Sequence, residues 1–344
     1  MSRTVVLAYS GGARSSAAVS WLRKRHDADV VAVTVDLGQS ADLAEVRERA
    51  LADGALRAHV IDKREEFARE IVWPSLMAGA LSDSRYPMAT ALSRPLIART
   101  LVEISAIERA TAVAHTATSR DRIRLSQPLG ALNPDLTVIA CGDEAGFDEA
   151  VAERSPEPET RVDDNLWGRT IGRRGDDGSA PADESLFKLT RPLDDTPAKS
   201  AHVEIEFDGG AAIGINGVTM RLVELIESLS TIAGEHGVGR LDRIKVRGDG
   251  SRSRAMYEAP AAVVLHLAHA ELWRYVSSES QQRFDTALSA AYVETIDRGE
   301  WFDPLRTGLD AYINATSEQM TGTIRVRLFK GAAQVVGRTV KRRS

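Results

Sequence analysis

Residues 4–17, TVVLAYSGGARSSA, constrain the chain more than any other stretch. Thr4, Val5, Val6 and Leu7 read as a buried parallel strand, while Ala17, Ala18, Val19 and Leu22 give the following helix one apolar face. Between them lies a Ser-Gly-Gly turn. Gly11 and Gly12 let the backbone approach an anion closely, and the first N–H groups of the helix lack partners inside it. Ser15 and Ser16 add hydroxyl donors. Together these make a phosphate-binding design. It is not a Walker A loop, because the GxxxxGK spacing is absent and no lysine follows the glycines. Gly-Gly in isolation would more simply be an ordinary turn between strand and helix.

The first half continues as alternating strands and helices. DVVAVTVDL (29–37), LRAHVID (56–62), TAVAHT (111–116) and LTVIA (136–140) read as strands. Helical patterns at 41–54, around 64–79, around 92–109 and from about 121 separate them. Strands joined by helical crossovers imply a parallel sheet with helices on both faces, and ligands beyond the carboxyl ends of its strands. From about 141 to 200 the pattern fails, and 172–185, GRRGDDGSAPADES, reads as a loop or linker. The second half restarts with two hairpins, 202–207 with 211–215 over Asp208-Gly209-Gly210, and 323–329 with 332–340 over Lys330-Gly331. Helices are expected around 219–233, 259–277, 281–298 and 305–318. The expected fold class is α/β, a parallel-sheet nucleotide-binding domain over 1–165 followed by an α+β domain over 166–344.

A net charge of −5 offers no footprint for a polyanion, so nucleic acid is not an expected partner. Cys141, the single cysteine, excludes an internal disulfide and any CxxC site, and reads as a structural thiol. No stretch approaches the roughly 20 apolar residues of a membrane helix, and residues 1–9 lack the features of a signal peptide. A cytoplasmic location without membrane association is expected.

The glycine turn resembles the SGGxDS signature of the PP-loop ATP pyrophosphatases, with Arg14 where that family carries aspartate. Seven segments in order then make a more specific resemblance: AYSGGxxxS, VTVDLGQ (33–39), RYPMATALSRPLIA (85–98), DDNLWGR (163–169), GVGRLDR (237–243), YEAP (257–260) and TGTIRVRLFKGAAQVVGR (321–338). They look like argininosuccinate synthase and cover nearly the whole chain. The resemblance implies a fold of the adenine nucleotide alpha hydrolase type, ATP and Mg2+ as cofactors, and a ligase reaction. In that reaction the ureido oxygen of citrulline attacks the α-phosphate of ATP, pyrophosphate leaves, and the amine of aspartate displaces AMP.

The same resemblance assigns site residues. Ala8, Tyr9, Ser10, Gly11, Gly12, Ala13, Arg14, Ser15 and Ser16 fall on the ATP loop, and Val35 falls beside adenine, where a valine offers an apolar surface. Arg14 reads as an ATP contact, a surface charge, or a change that weakens Mg–pyrophosphate binding. The family segment HGxTGKGNDQVRFE becomes HTATSRDRIRLS, from His115 to Ser126. Closing a two-residue gap leaves Thr118 and Asp121 on aspartate-binding positions and Arg124 on a citrulline-binding one. Asp121 reads equally well as a helix cap. Tyr86 and Tyr257 match citrulline-binding tyrosines, and Thr170 replaces a serine. Arg161 and Lys245 stand where the family has a serine and a glutamate that contact citrulline. Lys245 sits in a basic stretch, RIKVRGDGSRSR (243–254), that also reads as an exposed loop, so that either side chain also reads as pointing to solvent. His115 reads as a packed histidine at a strand end, no residue is assigned a catalytic role, and no protein-borne metal site is expected.

These readings imply an ATP-dependent C–N ligase with small amino-acid-like substrates, activating an acceptor other than citrulline and condensing it with aspartate or another amine. A true argininosuccinate synthase and a degenerate nucleotide-binding homologue are the alternatives. A tRNA-modifying PP-loop enzyme fits less well with the acidic charge and missing cysteine pairs. The family chain continues past the VVGR strand into a C-terminal arm that reaches across a tetramer, whereas this sequence stops at Lys341, Arg342, Arg343 and Ser344. The expectation is a homo-oligomer, a dimer foremost.

Overall fold

A computed structural model describes residues 3–154, 158–246 and 250–340. The chain forms two compact units: residues 1–64, 91–158 and 294–306 in one, and 65–90, 159–293 and 307–344 in the other. A cut at 165/166 would instead fall in the turn of a hairpin whose two strands both belong to the second unit.

The first unit is built on β1 (Arg3–Ala8), β2 (Ala28–Asp36), β3 (Arg57–Asp62), β4 (Ala112–His115) and β5 (Thr137–Ala140). All pair in parallel in the order β3-β2-β1-β4-β5. Val5, Val6, Leu7, Val30 and Val31 are completely buried, as expected of strands covered on both faces. The crossovers include α1 (Ala13–His26) and α2 (Leu43–Ala52), the latter capped by Asp42, whose side chain accepts from the N–H groups of Ala44 and Glu45. The chain then passes into the second unit as α3 (Arg64–Glu66), a π-helical stretch Phe67–Val72 and α4 (Trp73–Met77), and returns to the first along α5 (Ala89–Ile107), followed by α6 (Ser119–Leu132) and α7 (Phe147–Arg154). The strand order reverses direction between β1 and β4, so the loops after these two strands flank the switch point, where a crevice opens in such sheets.

The second unit holds two sheets. β8 (Ala201–Asp208), β9 (Ala211–Ile215), β10 (Val218–Thr219), β13 (Gly322–Phe329) and β14 (Ala332–Val340) form one, in the order β10-β9-β8-β13-β14. Both expected hairpins are present in it. Val203, Ile205, Phe207, Ile324, Val326 and Leu328 alternate inward. The helices are α8 (Leu222–Glu235), α9 (Pro260–Val276), α10 (Glu279–Arg298) and α11 (Pro304–Ser317), the C-terminal part of α10 and the start of α11 belonging to the first unit.

The other sheet corrects two expectations. Residues 160–173, within the stretch where no regular pattern was visible, form the antiparallel pair β6 (Thr160–Asn165) and β7 (Gly168–Arg173). The basic stretch read as an exposed loop forms β11 (Arg240–Val246) and β12 (Arg252–Glu258), with residues 247–249 between them outside the described residues. The order is β11-β12-β7-β6. Residues 341–344, the tail noted in the sequence, also lie outside the described residues.

Candidate active site

In the first unit the glycine turn stands directly after β1. Gly11 has φ +75°, and a Cβ there would sit 3.1 Å from the Val46 Cγ2, so both conformation and space favour glycine. Its carbonyl accepts from the Arg49 guanidinium at 2.8 Å. Gly12 is the N-cap of α1 and has no side-chain oxygen to occupy the first N–H groups; no acidic residue stands in the first turn. This helix end suits an anion. Of the hydroxyls, Ser10 is exposed. Ser15 is buried and donates to the Gly12 carbonyl at 2.9 Å, while buried Ser16 lies 3.0 Å from the Tyr9 hydroxyl. Tyr9 also donates to Asp53 at 2.7 Å, and its phenol is pushed up to about 12, chiefly by burial, so it stays protonated. Ser15 and Ser16 thus brace the loop from inside. Ala8 ends β1, and Ala13 begins α1.

Arg14, read from the sequence as an ATP contact, a surface charge or a change that weakens Mg–pyrophosphate binding, has protein partners here. Its guanidinium pairs with Asp148 at 2.9 Å and lies 5.1 Å from the Phe147 ring, so it anchors α1 to α7. Val35 lies 8% exposed near the end of β2, with its carbonyl accepting from Gln39 at 2.9 Å. Among the described residues no group of three or more His, Cys, Asp or Glu could hold a metal ion.

Across the switch point, His115 ends β4 fully buried, with Nε2 2.8 Å from Ser126 Oγ and its basicity pushed down to about 4 by burial. It is neutral and packed. Cys141 is likewise buried, its thiol pushed up to about 12 by burial. Thr118 is the N-cap of α6 but makes no side-chain cap bond. Asp121 does not cap: its carboxylate accepts from Arg124 at 2.8 Å and Arg94 at 3.3 Å. Burial raises the Asp121 carboxyl, but the two arginines outweigh it and hold the group below its ordinary value. Arg124 also binds Asp297 near the end of α10, within the same unit. The aspartate-binding and acceptor-binding assignments are therefore paired with each other. A bound substrate would have to exchange for these contacts. Arg94 and Asp297 were not anticipated; Asp297 lies more than 170 positions from its partner, beyond any local pattern.

In the second unit, strand register gathers the remaining assignments. Leu241, Tyr257, Thr170 and Asp163 stand in one cross-strand row. Side chains alternate along strands, so Arg161, Arg243 and Lys245 share that face. The contacts agree. Tyr86 packs on Ala255, Tyr257 and Leu241, with the two tyrosine rings 5.1 Å apart. Its hydroxyl donates to the Asp242 carbonyl at 2.7 Å. Thr170 accepts from Thr90 at 3.1 Å. Arg243 lies 5.0 Å from the Tyr86 ring and pairs with Asp83 at 2.5 Å, a residue the sequence reading passed over. Arg161 and Lys245 are exposed, on the opposite edge strands β6 and β11.

Residues 4–151 match the model of the argininosuccinate synthase N-terminal HUP domain, and 161–343 match that of the C-terminal domain. The chain belongs to the argininosuccinate synthase family. Relatives named argininosuccinate synthase include those of Dehalococcoides mccartyi, 41% identical and covering 98% of this chain and 87% of their own. Those of Symbiobacterium thermophilum (43%; 97% and 87%) and Bacillus cereus (42%; 98% and 87%) are similar. The fold is the parallel-sheet domain followed by an α+β domain that this family membership implies. Membership also supports an ATP-dependent ligase with small-molecule substrates. Among the described residues, no helix of this synthase-family chain is long and apolar enough to cross a membrane.

Proposed function

We propose that the protein forms a carbon–nitrogen bond by the chemistry of its family. The acceptor's oxygen attacks the α-phosphorus of ATP and pyrophosphate leaves; the amine of aspartate then attacks the activated carbon, AMP leaves with that oxygen, and a proton is released. The observation that carries the proposal is the uncapped start of α1 after a left-handed Gly11, beside the switch point of a sheet in a chain 41–43% identical to argininosuccinate synthases. There the residues 8–16 would hold the triphosphate through backbone N–H groups, and Val35 would face the base. Thr118 and Asp121 would hold the aspartate ammonium once Arg124 turns to a substrate carboxylate.

The relatives' names support citrulline as the acceptor, and argininosuccinate as the product. One observation favours a second reading, an acceptor bearing a carboxylate or lacking the α-amino group: Arg161, Arg243 and Lys245 stand on the Tyr257 face, countered there by Asp163 and Asp83. The deciding experiment measures AMP and pyrophosphate release with ATP, Mg2+ and aspartate across citrulline and an acceptor panel. Gly12→Val is its control: a Cβ there meets only Ser10 Oγ at 3.6 Å, so the fold tolerates it, while the branched side chain crowds the helix start. It is expected to weaken ATP at least about tenfold by calorimetry, about 1.4 kcal/mol. Absence of ATP affinity in the wild type at millimolar Mg2+ would leave a degenerate homologue.

We also infer self-association, as a dimer, through apolar faces of the second unit. Light scattering should show twice the mass of the chain at micromolar concentration; a concentration-independent monomer removes the idea.

A further inference from the structure

The C-terminal end of α10 is fitted to α6 through its backbone. Gly299 follows the helix in a left-handed conformation, φ +72°, and a Cβ there would stand 2.9 Å from the Arg124 Cα and from the Ile123 carbonyl oxygen. The same fit sets Asp297, two residues earlier, against Arg124, and their side chains form an ion pair within the first unit. The pair is not sealed off. Arg124 is 15% exposed at the side chain and Asp297 28%, so both keep part of their surface open to solvent.

The charges around the pair are shared unevenly. Asp121, the other carboxylate on Arg124, keeps a second arginine in Arg94 at 3.3 Å. Asp297 has Arg120 at 3.8 Å besides, a side chain 76% exposed, whose pull water largely screens. A lone carboxylate taken up by Arg124 would arrive beside Asp297 as a like charge and leave it poorly paired. A lone ammonium drawn to Asp297 would meet Arg124 as a like charge in turn. A molecule that carries both groups on one carbon exchanges one ion pair for two and strands neither partner.

We propose that Arg124 and Asp297 together clamp the head group of the acceptor, the guanidinium taking an α-carboxylate and Asp297 the α-ammonium on the same carbon. The proposal rests on the assignment of Arg124 to the acceptor made above. It makes Asp297 a specificity-determining residue and favours an α-amino acid over an acceptor that lacks the amino group. Simple acids and simple amines are selected against, because each leaves one half of the pair facing its own sign.

The test compares citrulline with two truncated forms of it, δ-ureidovalerate, which lacks the amino group, and ureidobutylamine, which lacks the carboxylate. Titration calorimetry on the full chain with Mg2+ and α,β-methylene-ATP, which cannot lose pyrophosphate, reads binding without turnover. Citrulline should bind at least about tenfold tighter than either truncated form. In Asp297→Asn, δ-ureidovalerate should gain about tenfold and draw level with citrulline, because the like charge is gone and the ammonium has lost its partner. A merely structural role would weaken all three together. Should that variant fail to fold, the order of affinities in the wild type decides alone. Equal binding of citrulline and either truncated form in the wild type, a preference that survives in Asp297→Asn, or no binding of any probe overturns the proposal. AMP release scores the chemistry separately. Selective binding of citrulline without AMP release keeps the clamp and sinks the ligase reading, whereas AMP release at equal kcat/KM with citrulline and δ-ureidovalerate does the reverse.

Discussion

Glu258→Ala is expected to destabilise the second unit by about 3–5 kcal/mol, the range for breaking a buried ion pair by removing one partner. Glu258 is completely buried at the end of β12. Its carboxylate accepts from the backbone N–H groups of Lys188, Leu189 and Thr190 at 2.8–3.0 Å and from the Thr190 hydroxyl at 2.8 Å. Arg169 on β7, itself 11% exposed at the side chain, completes the set at 2.9 Å. Alanine would leave the Arg169 guanidinium with the Leu186 carbonyl at 2.6 Å but without this carboxylate, and would strip several N–H groups of their acceptor, and that abandonment is the source of the loss. Glu258→Gln keeps one acceptor oxygen but turns an NH2 toward donors, so an intermediate loss is expected. Urea unfolding followed by tryptophan fluorescence measures it. An unfolding free energy for Glu258→Ala within about 1 kcal/mol of wild type would show that segment 186–190 is held by other means.

Arg161→Ser combined with Lys245→Glu is expected to raise citrulline-dependent kcat/KM by about tenfold, if the basic face excludes the α-ammonium of citrulline. A like-charge contact between groups open to water costs on the order of 1 kcal/mol. The two residues lie on opposite edge strands, about 14 Å apart across the sheet by strand spacing, so their effects should add. Both are exposed, so the assay belongs at low ionic strength, where screening is weakest. Carboxylate-bearing acceptors should lose rate in the same variant. Wild-type turnover of citrulline and aspartate at an ordinary enzymatic rate refutes this, and citrulline is then the acceptor.

What the sequence carried legibly was local. Val5–Leu7 and Ala28–Val35 announce buried strands because neither face meets water, and the Gly11 turn announces itself by composition. The β6–β7 and β11–β12 pairs were obscured for the opposite reason. Thr160–Asn165 has a single apolar residue, the exposed Val162, and Arg240–Val246 carries basic residues at 240, 243 and 245, so hydrophobic periodicity has little to register. The candidate site was legible where a motif is contiguous. It was not where partners are remote: Arg14 with Asp148, Arg124 with Asp297 and Glu258 with the 188–190 backbone join segments that no short window contains.

The return of residues 294–306 to the first unit bears on how the chain is made. A ribosome that has released residue 158 has already delivered all five strands of the parallel sheet, together with α6. It has not delivered Asp297, which holds Arg124, nor Gly299, whose added Cβ would come within 2.9 Å of the Arg124 backbone. The face of α6 that bears Arg124 therefore waits, uncovered and with its cation bound only locally, through the synthesis of more than a hundred further residues. Nucleotide-loop geometry belongs to the early nascent chain; this arginine acquires its full setting only once residues 294–306 have been made.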